Sequence, residues 1–313
     1  MKVAHAILIK MLSVLLFAVM SSLIRWLGDR VPLGQVVFFR SAFAILPVLA
    51  IYALRGELFA AVRTERPFGH LGRGMISVAG MFFSFAALAR LPLADANALS
   101  FASPLITVAL AALILKENVR VYRWTAVAIG FVGVVVMLWP FLDVGHMTAS
   151  TEATVGAMCA LAAAFTNAGS VIQTRRLTDS ETTSSIVFYF SFICALIGAC
   201  TLPFAWHQPS LGEFAALVCI GFIGGISHIL LTESYRYAAA SVVAPFDYTA
   251  MLWAFLFGYW LFGEVPTTYV FVGSAIIAAS GLFVLWRERR RGVERVRTSA
   301  IEGPPVGEMG KIS

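Results

Sequence analysis

The feature that most restricts this sequence is a succession of apolar stretches, each roughly 20 residues long, running with few pauses from residue 5 to residue 287. A helix rises 1.5 Å per residue, so each stretch matches a hydrocarbon core about 30 Å thick. Charged residues make up 13% of the 313-residue chain and hydrophobic residues 59%. A soluble chain carries about a quarter charged residues. The charges present are too few to coat a soluble surface, and a bilayer removes the need for that coat. The predicted fold class is therefore all-α and integral to a membrane.

Turn-like breaks at Gly28-Asp29-Arg30-Val31-Pro32, Arg55-Gly56, Arg90-Leu91-Pro92, Pro140, Pro209 and Gly263-Glu264-Val265-Pro266 divide the apolar sequence. They predict ten transmembrane helices at roughly 5–28, 33–54, 70–90, 93–115, 121–140, 154–175, 183–205, 212–237, 241–263 and 267–287. The first run is too long for the core of a signal peptide, carries Lys10 and lacks a small-x-small cleavage site, so it reads as a retained helix. Residues 288–313 are basic, then rich in Gly and Pro, and read as a disordered cytoplasmic tail.

The net charge of +6 does not point to nucleic acid, because Lys and Arg are spread over short loops and the tail instead of one soluble face. Their distribution sets an orientation instead. With the N-terminus inside, the inner connections hold Arg55, Arg63, Arg66, Arg73, Lys116, Arg120, Arg123, Arg175, Arg176 and Arg236, plus the tail. The outer ones hold only Arg25, Arg30 and Arg90. Cytoplasmic loops retain positive charge, so both termini are placed in the cytoplasm, in a multi-pass protein of the cell inner membrane.

An internal repeat adds to this. Shifted by 147 residues, Gly74 meets Gly221, Ala94 meets Ser241, Phe101 meets Tyr248 and Glu117 meets Glu264. The first unit spans 5–140 and the second 154–287. Five helices per unit is an odd number, so the second enters the membrane upside down. Two inverted five-helix repeats are a transporter architecture, with the substrate near the midplane between them.

The motifs of other classes are missing. The chain has four lysines (Lys2, Lys10, Lys116, Lys311) and none is followed by Ser or Thr, so a nucleotide-binding P-loop of Walker type is excluded. There is no HExxH and no nucleophile elbow. Cys159, Cys194, Cys200 and Cys219 lie in apolar runs without Cys-x-x-Cys spacing and read as small buried hydrophobes. The sequence therefore predicts no catalytic residue, no metal and no cofactor. An integral membrane enzyme would need clustered acids or histidines, and the five histidines are dispersed.

What remains are polar residues inside apolar helices, each of which needs a partner or a watery cavity. Arg40 lies about 10 Å into the second helix and is either a structural ion-pair partner or a substrate contact. Asp247 lies at similar depth from the other side, beside Pro245, which withdraws a backbone donor. His228 is either a packing residue or a proton or substrate contact. Asn97, Ser100 and Asn167 either line a polar path or bond helix to helix. Phe101 and Tyr248 provide faces for a flat ring. Lys10 and Arg25 are read as snorkelling from opposite ends of the first helix. The candidate substrate-binding set is Arg40, Asn97, Ser100, Phe101, Asn167, His228, Asp247 and Tyr248.

Phe38-Phe39-Arg40, Leu115-Lys116-Glu117 and Phe262-Gly263-Glu264-Val265-Pro266, together with the doubled five-helix unit, resemble the EamA group of the drug/metabolite transporter superfamily. The resemblance implies a ten-helix transporter whose third, fourth, eighth and ninth helices line a central cavity. Ser22-Leu23-Ile24-Arg25-Trp26-Leu27 and Ala244-Pro245-Phe246-Asp247-Tyr248-Thr249 look like the bacterial vitamin and cofactor importers of that group. Riboflavin is the implied substrate, with an S-adenosylmethionine importer or an amino-acid or metabolite exporter as alternatives. The partners implied are a small molecule and the lipid bilayer, with no nucleic acid. A homodimer is compatible with the sequence.

Overall fold

The computed structural model describes residues 2–54, 56, 63–114, 116, 121–142, 151–177, 180–237 and 240–302. Among these the first half comprises α1 (Lys2–Leu27), α2 (Leu33–Leu54), α3 (Pro67–Arg90), α4 (Leu93–Ser100), α5 (Ala102–Ile114) and α6 (Val121–Leu142). The second comprises α7 (Thr151–Leu177), α8 (Thr183–Cys200), α9 (Leu202–Ala205), α10 (Leu211–Tyr237), α11 (Ala240–Val243), α12 (Thr249–Phe262) and α13 (Thr268–Glu302). Among the described residues, six stretches are long and apolar enough to cross a membrane, and three shorter apolar helices accompany them. The protein is a helical, multi-pass membrane protein.

Proline explains two of the helix boundaries. Val31 and Leu91 precede Pro32 and Pro92 and are extended, with φ/ψ of −115/126° and −104/154°. A residue before proline is driven out of the helical region, so the chain turns there and α2 and α4 start afresh. At the end of α12, Gly263 adopts φ +65°. Its amide donates to the Tyr259 carbonyl, and the Glu264 amide donates to that of Gly258. This left-handed cap closes the helix and turns Glu264 back over it. Lys116, one repeat earlier, takes φ +52°. Its neighbour Glu117 lies outside the described residues.

The two predicted helices at 93–115 and 241–263 are not continuous. The first breaks at Phe101, between α4 and α5. Asn97 Nδ2 donates to the Leu93 carbonyl at 2.8 Å and Ser100 Oγ to that of Asn97 at 2.6 Å. Such side chains compete with the helical ladder, and Pro104 has no amide to offer the Ser100 carbonyl. The second passes through a 3-10 turn, Ala244–Tyr248, which contains Pro245, before α12 begins. The interruptions therefore fall at matching positions of the two repeats. The predicted helix at 183–205 is also divided, at Thr201. Its hydroxyl donates to the Gly198 carbonyl and accepts from Trp206 Nε1. The last helix continues to Glu302 instead of ending at 287, so the basic stretch begins as helix.

Packing follows the repeat. α1 lies on α10, and α3 lies on α7; exchanging the halves converts one pair into the other. α2 pairs with α8, and α6 with α13, each with its own counterpart. Glycine permits the closest of these approaches. A Cβ on Gly133 would lie 2.7 Å from the Gly273 carbonyl, and one on Gly273 would lie 2.6 Å from that of Gly133. Gly221 and Gly225 likewise bring α10 against the backbone of α2, and Gly80 faces Thr166 and Asn167 on α7. The buried core gathers around the α3–α4 link, where Leu27, Leu91 and Leu93 are wholly enclosed.

Candidate functional site

A cavity of about 220 Å³ lies between the interrupted first half and α7. Arg40, Asn97, Ser100 and Asn167 line it together with Met20, Ser84 and Phe85, so four predicted contacts from α2, α4 and α7 share one wall. Phe101, Asp247 and Tyr248 line a second cavity, of about 290 Å³, against α6 and α13. Consecutive residues Ser100 and Phe101 thus serve different cavities, and the break in α4–α5 is the partition between them. The Phe101 and Tyr248 rings stack on each other, 5.3 Å apart and 18° from parallel. The two residues that the 147-residue shift aligns are therefore in direct contact. His228 lies behind the first cavity, with Nε2 2.9 Å from Arg40 Nη2, and edge-on to Phe17.

Arg40 is 6% exposed and its Nη1 has no hydrogen-bond partner among the described residues. Its guanidinium lies 5.6 Å from the centre of the Phe190 ring, and that of Arg73 lies 5.1 Å from the same centre. The sequence places Arg73 among the charges of the inner connections. It stands inside α3 instead, donating to Thr174 Oγ1 at 2.6 Å and to the Ile186 carbonyl at 2.8 Å. No carboxylate among the described residues forms an ion pair with either arginine. Two cations thus share one aromatic ring inside the bundle, and the ring quadrupole offsets only part of their charge.

Two expected snorkelling residues do something else. Lys10 is 1% exposed and its Nζ lies 2.6 Å from Asp247 Oδ1. Its ammonium lies too deep along α1 to reach the surface, so it pairs with the acid beside the second helix break. Arg25 Nε and Nη2 donate to Glu264 Oε1 at 3.0 and 2.9 Å, and Nη1 to the Ala89 carbonyl at 2.7 Å. Glu264 Oε2 accepts the Leu93 amide at 2.7 Å, which caps α4 at its positive end. Sequence alone carried a signal for Lys10: a lysine and an acid, each several residues inside an apolar helix, each need a partner. Nothing in spacing indicated Arg73, which adjoins a basic loop.

Outside the apolar spans, Glu181 ties two connections together. Its Oε1 accepts from Thr64 Oγ1 and from the Glu65 and Arg66 amides, each at 2.8 Å. Oε2 lies 3.4 Å from His70 Nε2. Desolvation would raise the Glu181 pKa, but the bonds from Thr64, Glu65, Arg66 and His70 outweigh it and hold the group at about 2.

A solved crystal structure superposes on this fold with TM-score 0.62 at 20% identity, covering 91% of this chain and 98% of that one. That likeness concerns the fold alone. Among curated proteins, an S-adenosylmethionine uptake transporter of Rickettsia prowazekii (strain Madrid E) is 30% identical over 269 residues, 85% of this chain and 87% of the relative. A riboflavin transporter of Rhizobium johnstonii is 30% identical over 279 residues, with 88% and 89% covered. A pseudopaline exporter of Pseudomonas aeruginosa is 28% identical over 279 residues, with 88% and 93% covered. All three are transporters, and their named cargoes differ. The model of the EamA-like transporter family matches twice, over residues 4–139 and 154–286, one match for each half described above. The chain is a membrane transporter that belongs to the EamA-like transporter family.

Proposed function

We propose that this protein is a secondary importer of the bacterial inner membrane, with both termini cytoplasmic, and that its cargo is S-adenosylmethionine. The observation that carries this reading is the cavity beside the interrupted α4–α5 helix, walled by Arg40, Asn97, Ser100 and Asn167. Broken helices at the junction of two repeats free backbone groups for a ligand without exposing them to lipid. Alternating access would open that cavity to each side in turn. The cargo must offer polar edges to the amides and hydroxyls, and it must tolerate a buried cation.

Riboflavin, the substrate that the sequence resemblance favours, fits this wall less well. It is uncharged at neutral pH and would leave Arg40 uncompensated. The rings suited to clasp a flavin, Phe101 and Tyr248, are stacked on each other. S-Adenosylmethionine carries a carboxylate, two cationic centres and an adenine with hydrogen-bonding edges. Riboflavin stays as the second reading, because the Phe101–Tyr248 pair would offer two aromatic faces if it separated.

The test is uptake by the purified protein in sealed proteoliposomes, with labelled S-adenosylmethionine and labelled riboflavin in parallel. Saturable accumulation of S-adenosylmethionine, chased out by unlabelled compound, is the expected result. Accumulation of riboflavin alone would reassign the cargo. Chemical conversion of either compound without accumulation would return the protein to the membrane-enzyme class.

A further inference from the structure

The two buried arginines have different surroundings, and the difference assigns a role. Arg73 has its donors directed to Thr174 and to the Ile186 carbonyl. Arg40 holds His228 with Nη2, while Nη1 is enclosed, unbonded among the described residues, and belongs to a side chain on the cavity wall. A buried guanidinium nitrogen without an acceptor costs more than an ordinary missing hydrogen bond, because the group is charged. Arg73 aggravates that cost from across Phe190, and no acid among the described residues relieves it. A carboxylate group entering the cavity would supply the missing acceptor and place a negative charge directly beside the Arg40 guanidinium.

We propose that Arg40 is the carboxylate subsite of the cavity: Nη1 donates to a carboxylate oxygen of the transported molecule, with His228 and Phe190 holding the guanidinium in place. The inference rests on the transport reading above and narrows it to cargoes that bear a carboxylate. A carboxylate suits the site better than a phosphate. It is a single charge facing one free guanidinium nitrogen, and its second oxygen can be met by the neutral donors Ser84, Asn97 or Asn167 on the same wall. Arginine suits the task better than lysine, because its planar fork bonds His228 and the ligand in fixed directions. For S-adenosylmethionine, the methionyl carboxylate is the group bound.

The experiment compares S-adenosylmethionine with its decarboxylated analogue, which keeps the adenosine, sulfonium and amine. Binding to the solubilised protein is read as stabilisation against heating over a concentration series, independently of transport. S-Adenosylmethionine is expected to bind at least about tenfold more tightly than the analogue, the effect of one hydrogen bond between charged groups. Arg40→Gln should remove that preference while still binding the analogue, and Arg40→Lys should restore part of it. Should Arg40→Gln fail to fold, the wild-type comparison and Arg40→Lys still decide the matter. Equal binding of the two compounds by wild-type protein overturns the subsite and leaves the cargo assignment standing. Stabilisation by neither compound, or by riboflavin alone, overturns the cargo assignment and the subsite with it.

Discussion

Lys10 and Asp247 each sit where an isolated charge would be costly, and each answers for the other. Their pair links α1 to the turn that precedes α12, and Arg25–Glu264 links α1 to the far end of the same helix. The two links lie roughly 22 Å apart along α1 at 1.5 Å per residue. Lys10→Met leaves the Asp247 carboxylate without the ammonium it contacts and Asp247→Asn takes that carboxylate from Lys10, whereas the double variant removes both charges. We expect each single variant to lower thermal stability, by less than the roughly 3–5 kcal/mol of a fully buried pair, since the Asp247 side chain is 45% exposed. The double variant should lie closer to wild type than either single, and melting of the four proteins measures the coupling. Lys116 supplies a separate test. It holds φ +52° at the position that Gly263 occupies in the other repeat, and a Cβ in that region is strained. Lys116→Gly should therefore stabilise the protein by about 1 kcal/mol, the strain relieved exceeding the added freedom of the unfolded chain. A lowered melting temperature would refute it.

At the scale of elements, hydrophobic runs indicated where helices lie and hid where they break. Asn97, Ser100 and Pro104 have the chemistry of a break, yet the apolar residues around them keep the helical period, so 93–115 read as a single span. The 3-10 turn at Ala244–Tyr248 was half visible, through Pro245. Arg40, Asn97, Ser100 and Asn167 were legible as one polar wall because buried polarity in a membrane helix is conspicuous. For Lys10 and Asp247 the sequence signals only that each buried charge needs a partner; that they partner one another depends on packing. That packing makes its own prediction at the α6–α13 crossing. Gly273→Ala would drive a methyl against the Gly133 backbone and should destabilise by about 1–3 kcal/mol; Gly212→Ala, where a Cβ meets open space, serves as the control. In the connection between α7 and α8, Glu181 accepts from the residues before α3, and its pKa lies below the ordinary value of 4.5, at about 2. The contribution of Glu181 is present in full above pH 4.5 and is lost as pH falls towards about 2. Relative to the intrinsic exchange rate at each pH, the protection of the Glu65 and Arg66 amides should fall over that range, and Glu181→Gln should remove this loss.

At the scale of the whole molecule, the distribution of Lys and Arg predicts two halves that face opposite ways across the membrane. In a cysteine-free background, a single cysteine at Gln208 should react with an impermeant reagent added outside, and one at Glu65 should not. The reverse pattern would invert the molecule and place the α3–α4 link on the cytoplasmic side. The pairing of α1 with α10 and of α3 with α7 is what a two-fold exchange of the halves requires. Were the halves identical, the form open to one side and the form open to the other would be mirror accounts of one energy, equally populated at rest. They are not identical. Where one half has Asp247, tied to Lys10, the other has Ser100, bonded only within its own helix among the described residues. The aligned sites therefore weigh differently in the two forms. In a carrier that alternates between the two forms, the exchange of Ser100 for Asp247 would be one of the differences that set the side on which the empty protein waits for its cargo.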